Sequence, residues 1–144
     1  MKILIANNDM KVGGVQKALC NLLWELERQG EHDVTLLLFN ATGDYMKMLP
    51  PGVKCITVKS LFRYFGVSQG QCRGLDRLKR GALAAICRIF GRPAAVRLML
   101  LSQKTLPEEY DCAISFFHNG RINCFFGGVQ DFVMHRVKAK KKVT

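Results

Sequence analysis

Two adjacent glycines, Gly13 and Gly14, stand between a short apolar run and a helical pattern that begins near Val15. This arrangement suits an anion. Glycines let a ligand come close to the backbone, and the first turn of a helix offers N–H groups that have no partner inside the helix. Gln16 follows in the same turn. The loop has neither the G-x-G-x-x-G spacing of dinucleotide sites nor the G-x-x-x-x-G-K-[ST] spacing of a P-loop. The plain alternative is a tight turn that needs positive φ. A second candidate is His118 with Asn119, directly after Phe116-Phe117. An imidazole there could bind substrate or move a proton near neutral pH; the alternative is an ordinary polar loop. His32 and His135 are weaker candidates, one on the opposite edge of the expected sheet and one on a helix. No metal triad, H-E-x-x-H or serine nucleophile elbow is present. The six cysteines include no C-x-x-C pair, which argues against a zinc or dithiol site.

These residues need elements to hold them. Residues 2–6 predict a buried strand, because Ile3, Leu4 and Ile5 in succession suit a sheet covered on both faces. A helix follows from Gly14, with Val15, Ala18, Leu19, Leu22, Leu23 and Leu26 on one face and Gly30 as its stop. Residues 33–39 and 53–58 predict further strands, with one helical turn at 45–49 between them. A basic amphipathic helix over 73–92 carries Leu75, Leu78, Ala82, Ala85, Ile86 and Ile89 at helical spacing. Pro93 interrupts it, and 94–103 predict a second short helix. Residues 107–110 are expected to lead into a strand over 111–116. A helix over 130–137 and the first residues of a fifth strand at 142–144 close the chain. The order predicts an α/β, Rossmann-like parallel sheet with helices on both faces. Ligands then belong at the carboxyl ends of the strands, where the Gly13-Gly14 loop and His118 fall. A fifth strand that has barely begun predicts that the chain belongs to something longer.

The 144 residues allow one domain, and 49% hydrophobic content is enough to fill its core. No apolar run approaches the roughly 18 residues of a membrane span or the core of a signal peptide. The expected compartment is the cytoplasm, with reduced cysteines. The formal charge is +11, from 22 basic and 11 acidic residues, and it calls for a polyanionic neighbour. It is concentrated in 73–97 and 136–142. Arg73, Arg77, Arg80 and Arg88 on an amphipathic helix suit an anionic membrane surface. The alternative is a surface helix that packs its apolar face on the sheet. With no stacking platform and no helix-turn-helix pattern, nucleic acid is not the expected partner.

The stretch Val12-Gly13-Gly14-Val15-Gln16-Lys17-Ala18-Leu19-Cys20-Asn21-Leu22-Leu23, behind an MKIL strand, resembles the GG-[VA]-[EQ]-[RK]-x-L-x-N-L opening of family-4, GT-B-type glycosyltransferases. Tyr110-Asp111-Cys112-Ala113-Ile114-Ser115 resembles their YDVAI strand. Residues 132–144 are similar to the helix and strand that follow it, which in bacterial surface-polysaccharide members run on into W-[IL]-H. The resemblance implies the N-terminal, acceptor-side domain of a retaining transferase. Such an enzyme moves a sugar from a nucleotide-sugar to a polysaccharide or lipid-linked acceptor. It implies no metal or other cofactor, with the nucleotide-sugar as substrate; the basic segment 73–97 would then hold the domain peripherally on the inner membrane face. By the same match Gly13 and Gly14, with Val15 and Gln16 beside them, lie at the interdomain cleft. The donor-binding domain with its Glu-x7-Glu motif is absent from this chain, so 1–144 alone is not expected to catalyse transfer. The rival reading is a free-standing Rossmann-like module that holds a nucleotide or phosphate without catalysis.

Overall fold

The computed structural model of the protein describes residues 1–118 and 125–144. Five strands form one parallel sheet: β1 (Lys2–Asn7), β2 (Asp33–Leu38), β3 (Lys54–Thr57), β4 (Glu109–Ser115) and β5 (Lys138–Val143). Their order is β3-β2-β1-β4-β5, and every neighbouring pair is parallel. The helices are α1 (Gly14–Gln29), α2 (Gly74–Phe90), α3 (Arg92–Leu101) and α4 (Val129–Arg136). Short 3-10 turns occupy Asp44–Met48, Leu61–Gly66 and Gln69–Gln71.

Alternation along the central strands divides the core between two faces. Ile3, Ile5, Val34, Leu36 and Leu38 point to the side covered by Leu19, Cys20 and Leu23 of α1. Leu4, Ala6, Leu37 and Phe39 point to the other side. There they meet Leu83 of α2, Val96 and Met99 of α3, and Phe132 and Val133 of α4. Phe62 and Phe132 make an edge-to-face pair at 5.3 Å between ring centres, and Phe39 stands 5.6 Å from each, a geometry favoured by the ring quadrupoles. The α/β, Rossmann-like sheet with helices on both faces is therefore the fold. Gly30 ends α1 in the left-handed conformation at φ 67°, with its N–H donating to Glu27 O.

Several boundaries and faces differ from the sequence reading. The fifth strand starts at Lys138 rather than 142 and pairs with β4 from Glu109↔Lys138 to Ile114↔Val143. Its residues read as polar because it is an edge strand, and edge lysines oppose further pairing. Likewise β4 starts two residues early, with Tyr110 buried. On α1, Val15 and Ala18 are exposed and Cys20 is buried. The first turn of the helix faces the open end of the sheet, so the core-facing stripe begins only at Leu19. The apolar stripe of α2 does not pack on the sheet either: Leu75, Leu78, Ala82, Ala85 and Ile89 are all exposed, and Leu83 and Cys87 make the core contact.

Candidate functional site

Going outward from the first strand, the chain winds to β2 and β3 on one side and to β4 and β5 on the other. Between β1 and β4 the direction of winding reverses, and a crevice opens at the carboxyl ends of those two strands. One wall is the loop from β1 into α1. The other follows β4 and carries Phe116, Phe117 and His118.

Asp9 organises the first loop. Its Oδ1 accepts from the Lys11 backbone N–H at 3.2 Å and from Gln16 Nε2 at 3.3 Å. Its Oδ2 pairs with Lys11 Nζ at 3.2 Å. Asn7 Nδ2 donates to the Asp9 carbonyl at 2.9 Å. The loop is also fastened to the one after β2: Met10 N–H donates to Thr42 O at 2.9 Å, and Tyr45 N–H to Met10 O at 3.1 Å. Gly43 makes that contact possible. It sits at φ 116°, and a Cβ there would stand 2.2 Å from Met10 C.

Gly13 and Gly14 have different reasons from the tight turn considered above, for neither has positive φ. Gly13 is extended, at φ −179°. Its missing side chain makes room for Gln16, whose Oε1 would lie 2.5 Å from a Cβ. Gly14 faces open space, with nothing within 4 Å of a Cβ position. No side chain caps α1 and its first turn holds no acid, so the helix presents its amide groups and positive dipole end to the crevice.

The structure brings the predicted residues together in two neighbouring hollows. Gly14, Val15 and His118 share a shallow one with Ser115, Phe116 and Gln130. There the His118 ring stacks on Phe117, with centres 5.4 Å apart and planes 19° apart, and meets the Phe126 ring edge-on. Gln16 lies instead in a deeper cavity of about 510 Å³, with Asn8, Asp9, Lys11, Arg80 and Phe117. Phe65 and Phe125, stacked at 4.7 Å, also line this cavity. Asn119 lies outside the described residues.

Asn8 was not anticipated. It is 2% exposed, it lines the cavity, and neither polar atom of its side chain has a hydrogen-bond partner. A buried amide left in this state is costly, and a ligand or water in the cavity would satisfy it. The polar run Asn7-Asn8-Asp9 behind an apolar strand was the available signal. Arg80 was expected on a membrane-facing surface and is corrected: its Nε donates to Val67 O, and its guanidinium lies 5.5 Å from the Phe125 ring centre, inside the cavity wall. Arg73, Arg77 and Arg88 are exposed.

The fold is a doubly wound α/β sheet with a crevice at its switch point. Compared with family models, with curated proteins and with solved structures, the chain matches none.

Proposed function

We propose that this chain is the acceptor-side Rossmann-like domain of a retaining, nucleotide-sugar-dependent glycosyltransferase of the GT-B type. Its acceptor is a polysaccharide or lipid-linked glycan, and its place of work the cytoplasmic face of a membrane. The observation that carries this reading is the uncapped start of α1 beside His118 at the switch point of the sheet. The motif resemblance from the first strand to the last supports it.

The chemistry follows from the geometry. Sugar transfer from a nucleotide donor leaves a diphosphate that gains negative charge in the transition state. The amide groups of Gly14, Val15 and Gln16 are suited to stabilise it, since preorganised dipoles need no rearrangement as charge develops. The deeper cavity combines aromatic faces (Phe65, Phe117) with the Asn8 amide, Asp9 and Lys11. Apolar walls with a few polar groups are what a sugar ring and its hydroxyls require. His118 stands at the mouth, where it can hold a hydroxyl or a proton. The nucleoside belongs to a donor domain outside this chain, so residues 1–144 alone do not catalyse.

Two observations test this. Translating the gene past the Thr144 codon should give W-[IL]-H and, further on, Glu-x7-Glu; an immediate stop contradicts the proposal. A calorimetric titration of the 144-residue chain with UDP-sugars should show weak binding. Micromolar affinity would contradict the assignment of the donor to a second domain.

A further inference from the structure

Helix α2 presents an apolar surface that none of the described residues covers. Leu75, Leu78, Ala82, Ala85 and Ile89 recur at alternating spacings of three and four, which places them on one stripe. Leu75, Leu78 and Ile89 are 73%, 69% and 71% exposed, and Phe90 at the corner into α3 is 72% exposed. Leu101, near the end of α3, is 83% exposed. The helix is anchored by its other side, through Leu83 and Cys87. A soluble surface rarely leaves so continuous a row of large aliphatic groups in water without a partner.

The charges beside the stripe select that partner. Arg77 and Arg88 lie along one flank and Lys79 along the other, all exposed, with Arg73 at the start of the helix. The only acid on α2 is Asp76. It is taken on the inner side, accepting from the Tyr64 hydroxyl at 2.6 Å and from Arg63 at 2.7 Å. The outer face is therefore aliphatic in the middle and cationic along its borders. A second copy of this chain would bring Arg88 and Lys79 against cations of the same kind, in a protein of net charge +11. An anionic bilayer satisfies both features at once: its acyl boundary takes the leucines and its headgroups take the guanidinium and ammonium groups. No helix of the described residues is long and apolar enough to cross a membrane, so the contact lies in the plane of the interface.

We propose that α2, with Phe90 at its end, is a docking surface for anionic lipid. Arg80 and Arg92 take no part, because both are turned into the protein. The assignment does not depend on what the crevice binds.

Flotation of the full 144-residue chain tests it, with vesicles of phosphatidylcholine alone or containing one-third phosphatidylglycerol. Binding is expected to the anionic vesicles only and to weaken as salt is raised. Two variants separate the contributions. Leu75→Gln with Leu78→Gln and Ile89→Gln removes the stripe without touching the core. Arg77→Glu with Arg88→Glu reverses one flank. Each should weaken binding by at least about tenfold and leave the melting curve unchanged. Equal binding to both vesicles, no binding to either, or binding unchanged in both variants would overturn the proposal. Light scattering supplies the remaining outcome: a wild-type dimer that the leucine variant dissociates would assign the stripe to a second copy and overturn the lipid.

Discussion

At the scale of single residues, the crevice depends on a glycine outside the Gly13-Gly14 pair. Gly43 holds a backbone conformation that side chains rarely adopt, and it touches the Met10 backbone. Gly43→Ala should cost about 2–3 kcal/mol. Gly14→Ala faces open space and should change stability by less than about 0.5 kcal/mol. Urea unfolding of both variants checks the contrast; equal losses would contradict it. The sequence made the Gly-Gly pair conspicuous, and of its two readings the structure removes only the turn that needs positive φ. Gly43 stood in an ordinary loop, because its role is a contact between two loops that no local pattern encodes. Asn8 escaped notice for the same reason: its burial is set by the Leu61–Gly66 turn and the aromatic rings across the cavity.

Elements were more legible than contacts. Apolar runs and helical periodicity placed the first four strands and the four helices of the described residues in order, since these patterns arise within each segment, whereas only the last residues of β5 were anticipated. Periodicity alone could not tell which side of a helix meets the sheet. On α2 the regular leucine stripe faces water, while Leu83 and Cys87, less conspicuous in sequence, face inward. The edge strand β5 was misjudged because it buries little and is dominated by lysines; β3, also mostly exposed, was placed to within a residue at each end. Nor did charge density reveal Arg92. It is 9% exposed, pairs with Asp131, and sits 5.7 Å from the Phe65 ring centre. It thereby joins the start of α3 to α4 and to the aromatic wall of the cavity. Arg92→Met should lower stability by about 1–3 kcal/mol, because it removes the charged hydrogen bond between a buried guanidinium and the Asp131 carboxylate. Loss of less than about 1 kcal/mol in denaturant unfolding would show the pair to be incidental.

Across the whole molecule, the crevice and a cluster of ion pairs sit at opposite ends of the sheet. The carboxyl edge holds the crevice. At the amino edge, Glu108 joins the first and third strands, accepting from Lys54 Nζ at 2.8 Å and pairing with Lys2 Nζ at 3.1 Å. The Lys54 hydrogen bond, with that of Lys2, holds its carboxyl at about 2, against an ordinary 4.5. Asp111 is also held low, first by Lys140 and then by the Lys2 backbone N–H. Both carboxylates bind protons more readily in the unfolded chain. The stabilisation from Glu108 is complete above about pH 4.5 and is lost as pH falls toward about 2. The melting temperature should fall across that window, less steeply in Glu108→Gln than in the wild type, and the difference should shrink in high salt. Parallel melting curves at every pH would exclude Glu108 as a source.

Whether the crevice at the start of α1 holds a diphosphate is tested most directly by amide-resolved NMR of the chain titrated with uridine diphosphate. Millimolar binding is expected to shift the amides of Gly14, Val15 and Gln16 together with the His118 ring. Gly14→Asp, which places a carboxylate at the helix start, should abolish those shifts. Perturbations confined to the exposed arginines of α2, with the Gly14–Gln16 amides unmoved, would contradict the proposal.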